Sequence, residues 1–201
     1  MVLGFLLLVG GLAFLGCQEK VTSFDLIIKK AKIINGTGSP WFKADLATKK
    51  DKIAALGRLS NFQAKKVIDA TGLVVTPGFI DVPTHCDRNI AQIPTADYYV
   101  LQGVTTVIGG NCGRHPFPLA EFFAKLEKEG ILLNFGCLVG HNTIRRKDMG
   151  YKMEAPPGEE LTEMKKLIEQ EMEAGALGFS TGLAYLPGIY SKTDEIVISR
   201  I

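Results

Sequence analysis

The chain has 201 residues, 46% of them apolar and 22% charged, which fits one or two modest soluble globular domains. Its 23 basic and 21 acidic residues leave a net charge of +2 and are interspersed along the sequence, so the one-sided basic patch that binds a phosphate backbone is not expected and nucleic acid is excluded as a partner. Four cysteines, Cys17, Cys86, Cys112 and Cys137, show neither CxxC pairing nor the density of a disulfide scaffold, which excludes a structural zinc ribbon.

The first sixteen residues, MVLGFLLLVGGLAFLG, carry no charge and give way abruptly to Cys-Gln-Glu-Lys. A bilayer span takes about 20 apolar residues, so the stretch reads as the apolar region of an export signal. It resembles a bacterial lipoprotein signal, in which Cys17 would be acylated and become the mature N-terminus. That resemblance implies an exported protein, periplasmic or at the cell surface, attached to the membrane through a lipid on Cys17. An apolar anchor that stays uncleaved is the alternative.

Residues 24–75 alternate short β-type runs with Asn, Gly, Asp and Ser, as in Leu-Ile-Ile-Lys-Lys-Ala-Lys-Ile-Ile followed by Asn-Gly-Thr-Gly. This pattern predicts a small antiparallel, sandwich-like β module. Pro77 and Gly78 mark its end, so the expected layout is a signal segment at 1–17, a β domain at 21–76 and a further domain at 77–201.

Beyond the boundary helices and strands alternate. Helices are predicted near residues 91–102, 119–129 and 159–174, each ending at or before a glycine and leading into a β-type run. In the second, Leu119, Phe122, Phe123 and Leu126 fall on one face; in the third, Leu161, Met164, Leu167, Ile168 and Met172 do. Strand–helix alternation of this kind builds a parallel sheet, and eight such units close a barrel of about 250 residues. Four strands are visible, the first at residues 78–81. The expected fold is therefore α/β: a partial (β/α)8 TIM-type barrel of about four units, the N-terminal half of a longer chain.

In such a barrel the chemistry sits where strands end. The first strand runs into Asp-Val-Pro-Thr-His-Cys-Asp, where side chains two apart share a face. A His-x-His pair there would aim two imidazoles at one metal, but Pro83 stands in the first position and leaves His85 alone. The second strand delivers Gly-Gly-Asn-Cys-Gly, with Cys112; the third, Leu-Val-Gly-His, with His141; the fourth, Ser-Thr-Gly-Leu-Ala-Tyr, with Tyr185. All three histidines, His85, His115 and His141, lie at or just after strand ends. On local sequence alone Cys112 reads equally as a small buried residue between glycines and as a thiolate ligand.

Taken together, PGFID-x-x-TH-x-D, GVTTVIGGNCG, LVGHNTIR and STGLAYLPGIY resemble the N-acyl-D-amino-acid deacylases, or D-aminoacylases, of the amidohydrolase superfamily, over nearly all of residues 24–195. The resemblance implies a zinc-dependent hydrolase that splits the amide of a small-molecule N-acyl-D-amino acid, with one or two Zn2+ ions in the complete enzyme. It implies Cys112 as a metal ligand able to bridge two ions and His85 as a second ligand; Tyr185, from its place after the fourth strand, reads equally as a residue that reaches substrate and as a packed aromatic. His141 and Arg145 would shape the site, and His115 is expected in a loop. The catalytic aspartate and two further histidines are expected beyond residue 201, so none of the residues present is expected to act as the catalytic acid or base. No lysine occurs in residues 177–183, which separates the chain from amidohydrolases that use a carbamylated lysine after the fourth strand. The other reading is a non-catalytic remnant or binding protein built on a half barrel. Cys86 and Cys137 are expected to be packing residues.

Overall fold

The computed structural model describes residues 23–198; the apolar N-terminal run and Cys17 lie outside them. The chain divides into two compact units, with the boundary between Pro77 and Gly78.

The first unit is one five-stranded sheet. Strand β1 (Ser23–Ile33) runs antiparallel to β2 (Phe42–Lys49), which pairs antiparallel with β3 (Lys52–Gly57). On its other side β1 pairs in parallel with β4 (Gln63–Asp69) and then with β5 (Val74–Val75). The sheet is thus mixed, where turn spacing alone predicted antiparallel pairing. Short alternating strands carry no mark of the direction from which a partner arrives. Its core is formed by Phe24, Ile27, Ala47 and Leu59, and beyond an irregularity between Ile28 and Ala31 by Ala31, Ile33 and Ala70.

Charge is not evenly spread. Residues 23–77 hold ten lysines and arginines against four aspartates, whereas residues 78–201 hold twelve basic against sixteen acidic residues. The interspersion expected from the whole-chain total is therefore corrected: two opposite surpluses nearly cancel.

The second unit is mixed α/β. Strands β6 (Phe79–Asp81), β7 (Val104–Gly109) and β8 (Asn134–Cys137) form a parallel sheet in that order. A further parallel pair joins β9 (Val139–Gly140) to β10 (Phe179–Ser180). Five helices accompany them among the described residues: α1 (Asp97–Val100), α2 (Leu119–Glu129), α3 (His141–Met149), α4 (Gly158–Glu173) and α5 (Thr193–Ile198). The helix expected over 91–102 shrinks to the four residues of α1. Pro94 keeps the residue before it out of the α region, and Ala96 takes a left-handed conformation with φ 45°.

The cores follow from alternation on the strands and the apolar stripes on the helices. Val107 and Cys137 are fully buried, while Thr106 and Ile108, one position along, are only half-buried. Leu119, Val139, Ile144, Met164 and Ile168 form the main cluster. Truncating any of these to alanine would cost about 2–5 kcal/mol. On α4 the buried positions are Met164, Ile168 and Glu171, so a carboxylate occupies the stripe that the sequence pattern filled with apolar side chains. None of the described helices is long and apolar enough to cross a membrane.

Candidate metal centre at the strand ends

Strand β7 ends on Gly109, and residues 110–113 make a tight loop in which Gly110, Cys112 and Gly113 all have positive φ (78°, 56° and 72°). For cysteine this is an uncommon left-handed backbone, held only when surrounding contacts over-determine it. Those contacts are explicit. Asn111 Nδ2 donates toward the carbonyls of Val82, Thr84 and Ile108 at 2.8, 3.0 and 2.8 Å, tying the loop to the segment after β6. Ser180 Oγ, at the end of β10, donates to the Gly110 carbonyl and accepts from Gly113 N–H at 3.2 Å. Thr143 N–H, in α3, donates to the Gly113 carbonyl at 3.0 Å.

Glycines permit the close approaches. A Cβ on Gly110 would run into the Leu138 backbone, and one on Gly182 would run into the Cys112 carbonyl. The thiol itself is exposed. The other two cysteines among the described residues are different: burial pushes the Cys137 thiol up to about 12 and also raises Cys86. Neither yields a thiolate at neutral pH. Both are buried, as packing residues are.

His85 follows β6, exposed, as the residue before a short 3₁₀ turn at Cys86–Arg88, and its side chain makes no capping bond there. The Asn111–Thr84 bond brings the neighbours of His85 and Cys112 together. Beside them Asp87 accepts from Gly110 N–H at 3.4 Å, and burial raises its carboxyl above the usual aspartate range. Tyr185 is exposed on the segment after β10, its N–H donating to the Gly182 carbonyl at 2.9 Å. Among the described residues no three His, Cys, Asp or Glu side chains are grouped to hold a metal ion. Zinc takes three or four protein ligands, a number the described residues do not bring together.

The two other histidines are buried. His115 does lie between secondary structures, but its Nδ1 accepts from Gly140 N–H at 2.8 Å and its Nε2 lies 3.0 Å from Glu171 Oε2. A ring nitrogen that accepts carries no proton, so the proton is on Nε2 and is donated to Glu171. Burial takes His115 down to about 4, and the occupied Nδ1 favours the same neutral ring. Glu171, raised by burial, also accepts from Leu119 N–H at 2.9 Å, supplying the cap that Pro118 does not give α2.

His141 and Arg145 are fully buried against Glu195 of α5. His141 Nε2 and Arg145 Nη1 both lie 2.7 Å from Glu195 Oε1, and Nη1 lies 2.7 Å from Oε2 as well. Arg145 Nη2 also donates to the Glu154 carbonyl. Burial acts to raise the Glu195 carboxyl, but the bonds from His141 and Arg145 outweigh it and hold the group below its usual range. Sequence reasoning placed Asn111 and Ser180 at strand ends without a role and overlooked Glu171 and Glu195. Of the last two, Glu171 left a signal, as a charged residue within a helix's apolar stripe.

Comparison with known proteins places the whole chain. A model of the amidohydrolase family matches residues 66–195. The chain belongs to this family. It is 36% identical over 203 residues to a D-aminoacylase of Alcaligenes xylosoxydans xylosoxydans, covering 90% of this chain and 42% of that one. An N-acyl-D-glutamate deacylase of the same organism is 35% identical, covering 89% and 41%. Among solved structures, an N-acyl-D-glutamate deacylase from Bordetella bronchiseptica, complexed with zinc and a phosphonate mimic of the tetrahedral intermediate, aligns with TM-score 0.84 at 35% identity over 89% of this chain and 42% of that one. A D-aminoacylase described as defining a novel subset of amidohydrolases aligns with TM-score 0.83 at 33% identity, over 88% and 42%; a binuclear metal centre is described for D-aminoacylase. This chain thus spans about two fifths of the length of these relatives.

Proposed function

We propose that this amidohydrolase chain is the N-terminal part of a zinc-dependent deacylase that hydrolyses the amide of N-acyl-D-amino acids to a carboxylate and a free D-amino acid. The observation that carries this reading is Cys112: an exposed thiol in a left-handed backbone, clamped by Asn111 and Ser180 at the end of β7. Strain maintained by so many contacts at an exposed reactive side chain is a functional signature. The 36% identity to a D-aminoacylase gives it a chemistry.

In this reading Cys112 supplies one metal ligand and His85 a second, with Pro83 leaving the position two residues earlier without a donor. The remaining ligands and the proton-accepting aspartate come from the portion of the relatives' length that this chain does not span. When bound, zinc supplies a Lewis acid that lowers the pKa of a bound water to about 7 and polarises the acyl carbonyl. The residues present hold and orient: Asn111 and Ser180 fix the loop, and Tyr185 stands exposed where it would meet substrate. The parallel strands of residues 78–201 fit the first part of a (β/α)8 barrel, and the mixed sheet of residues 23–77 fits one layer of a small sandwich-like module. The charge-free N-terminal run before Cys17 supports export and lipid attachment at the periplasmic or cell-surface side of a membrane.

Zinc quantification on the purified chain and on a Cys112→Ala variant tests this. The expected result is bound zinc in the parent and at least a tenfold weaker affinity in the variant, in keeping with the loss of a thiolate ligand. Equal zinc in both proteins would remove Cys112 as a ligand and with it the basis of the reading.

A further inference from the structure

We propose that the β unit of residues 23–77 docks against an anionic bilayer surface through a basic groove on its sheet. The groove, about 710 Å³, is lined by Lys30, Lys32, Lys43 and Arg58, with Asp45 as its acidic residue. Asp45 is already engaged, accepting Lys30 N–H at 2.8 Å and Leu59 N–H at 3.0 Å, and Lys30 Nζ is paired with Asp69 at 2.8 Å. Among the described residues no ion pair involves Lys32, Lys43 or Arg58, so three cationic side chains line the groove without a carboxylate partner.

The sheet register makes this more than a surplus of lysines. Lys32 on β1 is directly opposite Lys43 on β2, and Lys49 directly opposite Lys52 across the β2–β3 pair. Like charges in such positions destabilise a sheet, so a module that holds two of these pairs retains its positive charge against its own stability. An external anion relieves that repulsion.

Beside Lys32 stands the amphipathic residue expected at a lipid interface. Trp41, the single tryptophan of the chain, is 51% exposed, and Lys32 Nζ lies 5.0 Å from its ring centroid. An exposed tryptophan beside lysines suits the headgroup level, where its ring is half in apolar surroundings and half wet. In the sequence, the sixteen-residue charge-free run and Cys17 stand a few residues before β1. One acyl chain or short apolar segment gives only reversible attachment, and a polybasic surface is the second signal that makes it stable. This inference deepens the membrane attachment proposed above and is independent of the hydrolase reading.

Co-sedimentation of the full chain with two kinds of vesicle tests it: phosphatidylcholine alone, and equimolar phosphatidylcholine and phosphatidylglycerol. We expect preference for the anionic vesicles at 0.1 M salt, lost at 1 M, where the screening length falls from about 10 to about 3 Å. The triple variant Lys32→Gln, Lys43→Gln, Arg58→Gln should partition on the order of 100-fold more weakly onto anionic vesicles and unchanged onto phosphatidylcholine. Because it removes a like-charge pair, the variant should melt no lower than the parent, which shows that lost binding is not lost folding. Equal binding of parent and variant to anionic vesicles overturns the proposal. So does a parent that does not distinguish the two vesicles, or one that binds heparin more tightly than anionic vesicles. A parent that ignores phosphatidylcholine yet binds anionic vesicles leaves the basic groove standing and sinks only the apolar-segment attachment.

Discussion

Two regions of residues 78–201 use the same residue types for opposite ends. Near the strand ends Cys112, His85 and Tyr185 are exposed, and the loop that carries Cys112 is fixed by glycine contacts and by the side chains of Asn111 and Ser180. Around α3 and α4, His115, His141 and Arg145 are buried and bonded to Glu171 and Glu195. His115 has both ring nitrogens engaged, whereas His141 bonds Glu195 through Nε2 and keeps a buried Nδ1 without a hydrogen-bond partner. The difference shows that a histidine near a strand end is read correctly only when its burial and its partner are known.

The largest effect that distinguishes the regions should come from breaking the buried network. Glu195→Ala leaves Arg145 without its carboxylate partner in a dry site, and we expect a loss of about 3–5 kcal/mol in urea unfolding. The paired replacement Glu195→Leu with Arg145→Met removes both charges and should cost clearly less than the single change. If the single change costs under about 1 kcal/mol, the network is solvated and the contrast with the Cys112 loop collapses.

A second, smaller effect appears in pH dependence. His115 has a folded-state value of about 4 against 6.5 unfolded, so between these values the unfolded chain binds more protons than the folded one. Stability contributed by the neutral ring is therefore full above about pH 6.5 and is lost as pH falls toward 4. Glu171 is shifted in the opposite sense, raised by burial, so parent and variant must be compared rather than the parent judged alone. In His115→Gln the carboxylate still titrates but the ring does not. Relative to this variant, the parent should lose up to about 3 kcal/mol between pH 6.5 and 4. A parallel pair of stability curves would mean that His115 takes up its proton without leaving the fold.

Much of this was legible in the sequence, for reasons that also explain what was not. The helix at Leu119–Glu129 was readable because four apolar residues fall on one face and a glycine ends it. The loop at Cys112 was readable because glycines cluster where backbones must approach closely. The helix expected over residues 91–102 rests on a terminating glycine and the β-type run after it, and neither marks where a helix begins; Pro94 confines it to Asp97–Val100. Glu195 pairs with residues fifty or more positions earlier, and no local pattern encodes a partner so distant. The direction of β4 and β5 was hidden for the same reason: strand alternation records which face is buried, not which neighbour runs alongside.

The smallest effect is the most discriminating, because it separates backbone strain from side-chain chemistry at one position. Cys112 sits at φ 56°, where a Cβ costs about 1–2 kcal/mol, while glycine forfeits about 0.5–1 kcal/mol in extra unfolded-state freedom. Cys112→Gly should therefore gain roughly 0.5–1 kcal/mol in stability. Cys112→Ala keeps the Cβ and should change stability little, yet both variants should lose the thiol-dependent zinc. Stability rising as metal binding disappears is the signature of a position held for chemistry at the expense of folding. If Cys112→Gly were instead destabilising by more than about 1 kcal/mol, the side chain would be packing against the loop, and Cys112 would join Cys86 and Cys137 as a structural residue.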